Sequence, residues 1–253
     1  MSASDFYDGL APYYHLIFEN WEASIERQGT ALDSLIRSFG PPGARSVLDV
    51  ACGIGTQTLG LASRGYDLTA SDISPVAVAR ARVESARSHL KINFSVADMR
   101  VAHTHHANTF DVVLCADNSL PHLLTDDEIL QALEQFFACT RAGGLCIISV
   151  RDYAALEKSG LQFKPYGVRV EGHVRYALFQ VWEWHGSLYD MHFYIVRDDG
   201  TETCQTQVMR STYYAISIAE LMELMARAGF DKVQRLDDVF FQPVVVGIRS
   251  SPS

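Results

Sequence analysis

The chain has 253 residues, of which 48% are hydrophobic and 20% are charged, so it can bury a full core without disulfides or a structural metal. Its formal net charge of −9 provides no broad basic surface, which disfavours a nucleic-acid-binding protein and favours a small-molecule partner. The sequence has no apolar window of the roughly 18 residues that a membrane span needs and no secretory start, so we expect neither export nor a membrane location.

The segment before the first strand predicts a helical cap. Residues Ser4 to Phe39 carry apolar side chains at helical spacing with a break near Asn20, which indicates one or two amphipathic helices. We assign residues 1–44 to this cap.

Strands and helices alternate from Ser46 to Val150, and this alternation is typical of a parallel sheet covered by helices on both faces. The predicted strands are 46–51, 67–72, 92–97, 110–117 and 144–150, and the predicted helices are 56–64, 75–88 and 126–139. Ser74 before Pro75 and Thr125 before three acidic residues are typical helix starts. The pattern predicts a Rossmann-like α/β core.

A strand-rich segment follows Val150. Apolar and polar residues alternate in 168–186, 187–200 and 204–216, which predicts three antiparallel strands joined by hairpins. A helix from about Ser217 to Ala228 and two strands, 233–241 and 244–249, complete the pattern. We therefore expect a single domain, 1–253, with a mostly parallel seven-stranded sheet built from 45–151 and 215–253. The antiparallel β insert, 152–214, is expected to form a lid over the substrate.

Five cysteines and a histidine-rich loop were considered as metal or disulfide sites. Cys52, Cys115, Cys139 and Cys146 fall in or beside predicted buried segments without metal-ligand spacing, so we expect reduced thiols in a cytoplasmic protein. His103, His105 and His106 have no acidic or cysteine partner at close spacing. We assign no metal.

The first candidate ligand site is the stretch from Leu48 to Thr56, where a strand enters a glycine-containing turn and then a helix. Gly53 and Gly55 allow the backbone to approach a ligand, and the amides of the helix start face it. A nicotinamide cofactor would call for a third glycine where this sequence has Thr58. A nicotinamide oxidoreductase is therefore a weak alternative.

Carboxylates at the next two strand ends favour an adenosine ligand. Asp72 can accept hydrogen bonds from both hydroxyls of a ribose. Asp98 can accept a hydrogen bond from the amino group of an adenine, and Met99 offers its backbone amide and an apolar surface. The fourth strand, 110–117, is expected beside the first, where the strand order reverses and ligands bind in such sheets. Four strand ends thus predict one crevice.

The segments DVACGIGT, SDIS, ADM, CADNSLPHL and GLCIISVRDY make the sequence resemble the class I S-adenosylmethionine-dependent methyltransferases. Within that class it resembles the glycine and sarcosine N-methyltransferase-like group, from about Phe6 to Arg249. The resemblance implies an enzyme that uses S-adenosylmethionine, releases S-adenosylhomocysteine and methylates a small amine such as glycine, sarcosine or a related amino acid. Ala51 replaces a glycine common in the wider class, a departure that this group tolerates.

The resemblance also implies roles for individual residues. The residues that it places around the cofactor are Tyr14, Arg27, Ala51, Gly53, Gly55, Asp72, Ile73, Asp98, Met99, Cys115 and Asn118. Asn118 and His122 are expected near the methyl donor, and Arg151 matches the position that grips the carboxylate of glycine; these three are the candidate catalytic residues. Tyr7, Tyr194 and Tyr213 join Arg151 as candidate substrate-binding residues.

Several alternatives stay open at this point. The chain could be an O- or C-methyltransferase for small molecules, or a non-catalytic module that binds S-adenosylmethionine or S-adenosylhomocysteine to regulate a partner. Asp72 and Asp98 could cap a helix or a turn, Arg27 could be solvated, and Arg151 could pair with Asp152 or Glu157. No compulsory general base stands out, and His122 is a candidate only. The sequence is compatible with a homo-oligomer.

Overall fold

The computed structural model describes residues 2–251. It begins with helix α1 (Ala3–Leu10), a 3-10 segment (Ala11–Ile17) and helix α2 (Trp21–Phe39). Asn20 starts α2, since its side chain accepts a hydrogen bond from the amide of Ala23 at 2.9 Å. The predicted break near Asn20 is confirmed.

Regular alternation of strands and helices follows, as predicted. The elements are β1 (Ser46–Asp49), α3 (Thr56–Ala62), β2 (Asp67–Asp72), α4 (Pro75–Arg87), β3 (Ile92–Val96), α5 (Ala102–His106), β4 (Phe110–Cys115), α6 (Asp126–Cys139) and β5 (Thr140–Ser149). Ser74 and Thr125 cap α4 and α6 through their side-chain oxygens. The short helix α5 was not predicted.

The next segment contains four strands, where the sequence pattern had predicted three. They are β6 (Leu161–Glu171), β7 (Val174–His185), β8 (Leu188–Asp198) and β9 (Gln205–Tyr214). The predicted strand 168–186 was wrong, because the chain reverses at Gly172, which has a φ of +60°. Helix α7 (Ile218–Arg227) and strands β10 (Asp231–Leu236) and β11 (Val244–Ile248) follow.

The seven-stranded sheet has the order β10-β11-β5-β4-β1-β2-β3. Strands β1 to β5 are parallel to one another, and β11 runs antiparallel to both β5 and β10. The predicted mostly parallel seven-stranded sheet is confirmed, and so is the pairing of β4 with β1. The order reverses between β1 and β4, so a crevice opens at the carboxyl ends of these strands.

Two glycines bring helices α2 and α3 into direct backbone contact on one face of the sheet. A β-carbon added at Gly60 would lie 2.6 Å from the carbonyl oxygen of Ile25 and 2.9 Å from the Cα of Gly29. No side chain larger than hydrogen fits at this position without moving one helix away from the other. The contact therefore fixes the place of α2 beside the glycine turn that precedes α3.

The four-stranded antiparallel sheet packs its inner face against α1 and the 3-10 segment. Phe6 and Leu10 of α1 lie in one buried cluster with Trp182, Tyr189 and Phe193 of the sheet. The outer face carries the alternate side chains, among them the stacked rings of Phe179 and Tyr194, whose centres are 4.7 Å apart. The sheet thus covers the helical cap rather than continuing the large sheet.

Further expectations concern cysteines, metals and membranes. Cys52, Cys115, Cys139 and Cys146 are buried free thiols, as predicted, and Cys204 is an exposed one. Residues 2–251 contain no cluster of side chains suited to a metal ion. Over the same range no helix is long and apolar enough to cross a membrane.

Candidate active site

A cavity of about 250 Å³ lies at the carboxyl ends of the parallel strands. Seven of the residues predicted around a cofactor line it. One is Tyr14, and the other six are Ala51, Gly53, Asp72, Ile73, Asp98 and Met99. These six come from the loops after β1, β2 and β3, as the strand-end argument requires. Helix α1 and the 3-10 segment close the opposite side with Tyr7 and Tyr14.

The glycine turn after β1 presents its backbone to this cavity. Gly53 has a φ of +52°, and a β-carbon added there would meet no atom within 4 Å, so the turn leaves open space on the cavity side. Gly55 has a φ of +98° and starts α3 without itself lining the cavity. Both backbone conformations favour glycine, which explains why the sequence has it at these two positions.

Asp72 ends β2 and is held firmly by backbone amides. Its Oδ2 accepts a hydrogen bond from Gly53 at 2.8 Å, and its Oδ1 accepts one from Ser74 at 2.9 Å. Burial raises the pKa of this carboxyl, and the amide donors oppose the shift. Each oxygen keeps further acceptor capacity, so the carboxylate can bind two hydroxyl groups of a ligand in the cavity.

Asp98 lines the cavity but is already paired. Its Oδ2 lies 2.6 Å from Nη2 of Arg100, and its Oδ1 accepts the backbone amide of Arg100 at 2.8 Å. Arg100 also contacts Glu128 at 2.7 Å. Together, the side-chain and backbone hydrogen bonds from Arg100 outweigh burial and keep the pKa of Asp98 below its usual value, so it is ionised at neutral pH. Arg100 and Glu128 line the cavity as well, and the sequence pattern did not predict either of them there.

His122 stands on the far wall of the cavity with both ring nitrogens occupied. Nε2 lies 2.9 Å from the Tyr7 hydroxyl, and Nδ1 lies 3.1 Å from the Ser211 hydroxyl. Burial and the charge of Arg151 lower its pKa to about 3, so the ring stays neutral. A group with so low a pKa cannot hold a proton near pH 7, which makes His122 a hydrogen-bonding residue rather than a general base.

Asn118 is 2% exposed and does not line the cavity. Its Oδ1 accepts the backbone amide of Arg151 at 3.0 Å, and its Nδ2 donates to the Tyr153 hydroxyl at 2.8 Å. The side chain therefore ties the loop after β4 to the loop after β5. Its contacts give it a positioning role.

Arg151 follows β5 and lies among aromatic rings. Its Nη1 donates to the Tyr189 hydroxyl at 3.2 Å, and its guanidinium carbon is 5.2 Å from the centre of a Trp182 ring. Asp152, one of the partners considered from sequence, pairs instead with Arg235 at 2.7 Å. Within residues 2–251 Arg151 makes no ion pair, so its charge is available to an anionic ligand.

The remaining predicted site residues lie at different distances from the main cavity. Tyr213 contacts His122 with tilted rings whose centres are 4.1 Å apart, so it lies directly behind the cavity wall. Cys115 is buried inside β4. Tyr194 lies on the outer face of the antiparallel sheet, and Arg27 borders a different cavity beside Phe240 and Phe241. The structure does not bring Tyr194 or Arg27 to the main cavity.

Asp117 is a further charged residue near the site that the sequence pattern did not predict there. It lies two residues after the end of β4 and is half-buried. Desolvation raises the pKa of its carboxyl to about 6, while Arg151 and Tyr14 oppose the shift. Asp117 lies in the segment CADNSLPHL, in which Cys115, Asn118 and His122 are the predicted site residues. The strand-end position that marked Asp72 and Asp98 would have marked Asp117 as well.

Comparisons with known proteins agree with this geometry. A family model described as a methyltransferase domain matches residues 47–144, which hold β1 to β4 and the glycine turn. A glycine/sarcosine N-methyltransferase of Parasynechococcus marenigrum is 34% identical over 141 residues, covering 56% of this chain and 49% of that protein. The chain thus spans about half the length of the curated relatives it matches.

Solved structures show the fold over most of the chain. Streptomyces venezuelae DesVI has a TM-score of 0.79 at 19% identity and covers 99% of both chains. CalS10 of Micromonospora echinaspora, an amino pentose methyltransferase with bound SAM, has a TM-score of 0.78 at 19% identity and covers 90% of this chain and 92% of its own. The predicted class I fold is therefore confirmed, including the additional antiparallel sheet.

Proposed function

We propose that this chain, which carries a methyltransferase domain in the class I methyltransferase fold, binds S-adenosylmethionine and transfers its methyl group to a small amine that bears a carboxylate. The observation that carries the proposal is the cavity where Gly53, Asp72 and Asp98 meet at three neighbouring strand ends. The match to a glycine/sarcosine N-methyltransferase supports the choice of acceptor.

The residues around the cavity fit S-adenosylmethionine. The open space beside Gly53 admits a ligand against the backbone, and Asp72 has acceptor capacity for the two ribose hydroxyls. Met99 and Ile73 offer apolar surface for an adenine, and Asp98 lies beside them. When bound, the cofactor supplies a methyl group on a sulfonium, which is already activated for transfer.

Because the methyl group is already activated, the protein has to orient the acceptor and exclude water. We assign the carboxylate of the acceptor to Arg151, whose guanidinium can hold it through two parallel hydrogen bonds. Asn118 accepts a hydrogen bond from the backbone amide of Arg151, and Tyr189 accepts one from its guanidinium. These two contacts hold Arg151 in position. Tyr7 and Tyr14 of the helical cap close the cavity, and the antiparallel sheet packs against this cap, so we assign the sheet the role of a lid.

Replacing Arg151 with alanine is expected to raise KM for glycine or sarcosine about tenfold or more, because hydrogen bonds to a charged group are worth about 1.5–3 kcal/mol each. Affinity for the cofactor should stay unchanged, since Arg151 does not line the cavity proposed for it. Steady-state kinetics with each acceptor and calorimetry with S-adenosylmethionine measure the two effects.

Arg210→Ala is the matched control, because it removes the same charge from an exposed position on β9. It should leave both constants as in the parent protein. Equal KM values for Arg151→Ala and the parent would show that Arg151 does not hold the acceptor.

Calorimetry with S-adenosylmethionine, S-adenosylhomocysteine and both nicotinamide cofactors tests the proposed function, followed by mass spectrometry of glycine, sarcosine and phenol reactions. The expected result is that S-adenosylmethionine and S-adenosylhomocysteine bind and that an amine is methylated. Turnover of a hydroxyl acceptor alone would make the chain an O-methyltransferase, and binding without any turnover would favour a regulatory module. The proposed cytoplasmic location, the absence of a nucleic-acid partner and a homo-oligomeric state stay predictions.

A further inference from the structure

We propose that Asp117 is the catalytic base that binds the ammonium group of the acceptor and takes its proton. The inference rests on the proposed function, because it names the residue that prepares an amine for methylation. It starts from the geometry of the loop between β4 and the 3-10 turn Leu120–His122, which no comparison singles out.

The backbone of this loop holds Asp117 in an unusual conformation. Asp117 and Asn118 have φ values of +58° and +61°, in the left-handed region that residues other than glycine seldom adopt. The amides of both residues are tied to Ser149 of β5, at 2.8 Å to its hydroxyl and 3.0 Å to its carbonyl oxygen. Strain of this kind persists where the surroundings enforce it, and it is common at functional sites.

The side chain of Asp117 has fewer partners than the other carboxylates near the crevice. Asp49 binds Thr58 at 2.6 Å and the amide of Ala51, Asp72 binds two amides, and Asp98 binds Arg100. Among residues 2–251 Asp117 accepts no amide hydrogen bond and forms no ion pair, and only the Tyr14 hydroxyl lowers its pKa as a hydrogen-bond donor. Its oxygens are thus available to a ligand.

The charges around Asp117 match an amino acid with both ends ionised. Arg151, on the loop after β5, is close enough to lower the pKa of Asp117, yet the two side chains form no direct ion pair. Asp117 does not itself line the cavity, but its loop connects Arg151 with the cavity wall. Its neighbour Asn118 accepts the backbone amide of Arg151 at 3.0 Å, and His122 of the same loop lines the cavity. Tyr7, Tyr14 and Tyr166 are the other titratable groups near enough to interact electrostatically with Asp117. An acceptor between the two charges would place its carboxylate at Arg151 and its ammonium at Asp117.

Proton transfer must precede methyl transfer, because an ammonium nitrogen has no free electron pair. The N–H bond breaks, its electron pair stays on nitrogen, and the proton binds a carboxylate oxygen of Asp117. The amine nitrogen would then bond to the methyl carbon while the bond from this carbon to the sulfonium sulfur breaks. The electron pair of that bond would stay on sulfur, which gives S-adenosylhomocysteine, and Asp117 later returns its proton to solvent. A pKa of about 6 keeps Asp117 ionised at neutral pH and makes it more basic than an ordinary aspartate. His122, with a pKa of about 3, cannot do this.

Asp117→Asn tests the proposal with little risk to folding, because asparagine tolerates the left-handed conformation. We expect kcat/KM for the amine to fall about 100-fold or more, the usual contribution of a general base. In the parent protein kcat/KM should fall as pH drops below about 6, where Asp117 becomes protonated, and this limb should vanish in the variant. Affinity for S-adenosylmethionine by calorimetry should not change.

Asp117→Gly is the second variant, since glycine relieves the backbone strain and also removes the carboxylate. It should lose the same limb of the pH profile. Asp127→Asn removes an equal charge from the exposed first turn of α6 and should behave as the parent protein. If both Asp117 variants retain the parent kcat/KM and its acid limb, Asp117 is not the base.

Amine turnover by the parent protein distinguishes a failure of the proposal for Asp117 from a failure of the proposed function. Amine turnover by the parent with unaffected Asp117 variants would overturn only the role of Asp117. A parent protein that binds S-adenosylmethionine but methylates no amine would overturn the proposed acceptor, and the role of Asp117 with it.

Discussion

Asp72→Ala should weaken the binding of S-adenosylmethionine by at least tenfold. The carboxylate of Asp72 is the proposed acceptor for the two ribose hydroxyls, and each hydrogen bond to a charged group is worth about 1.5–3 kcal/mol. The substitution also frees the amide of Gly53, which Asp72 holds at 2.8 Å, so the glycine turn loses its anchor. Both effects raise the dissociation constant for S-adenosylmethionine.

Asp67→Ala is the control, because Asp67 begins the same strand at an exposed position. Isothermal calorimetry on folded samples of both variants gives the two affinities, and circular dichroism checks the fold. A folded Asp72→Ala protein that binds the cofactor as tightly as the parent would mean that the ribose lies elsewhere.

A second large effect is expected on stability, from Gly60→Leu. A β-carbon at position 60 would lie 2.6 Å from a backbone oxygen of α2, and neither helix has a flexible side chain there that can move aside. Helix α2 must shift away from α3, and overpacking of this kind costs about 1–3 kcal/mol. The free energy of unfolding, measured with a chemical denaturant, should fall by this amount.

Gly9→Ala provides the comparison within α1. Its β-carbon would meet only the flexible side chain of Met209, at 3.0 Å, so the cost should be small. If Gly60→Leu unfolds at the same denaturant concentration as the parent protein, the close approach of α2 and α3 does not contribute to stability.

Much of the core could be predicted because local signals and periodicity agree in it. Helix α6 has the predicted bounds Asp126–Cys139, since Thr125 caps its start and acidic residues follow. The ligand-facing positions Gly53, Asp72 and Asp98 were also found, because any residue just after a parallel strand lies at the same edge of the sheet. In these cases the position of a residue along the chain was sufficient to predict its place in the fold.

Features that depend on side-chain direction or on partners distant in the chain could not be predicted. Tyr194 lies outside while its neighbour Phe193 is buried, and alternation alone does not say which set faces inward. The pairing of Asp98 with Arg100 and the unexpected cavity beside Arg27 depend on three-dimensional packing. The missed hairpin at Gly172 joins two strands of similar composition, so the alternation continues through it.

Helix α1 forms part of the cavity wall through Tyr7. It contacts the loop after β2 by two side-chain hydrogen bonds, one from Ser4 to the carbonyl oxygen of Ile73 and one from the Ser74 hydroxyl to Asp8. Eight residues are too few for a helix to persist on its own, so its order depends on Phe6 and Leu10 packing against the antiparallel sheet. The rate at which bound S-adenosylmethionine exchanges with solvent should therefore depend on how often this helix opens locally. We expect the amides of α1 to exchange with deuterium more slowly once the nucleotide is bound, while those of β4 stay protected throughout.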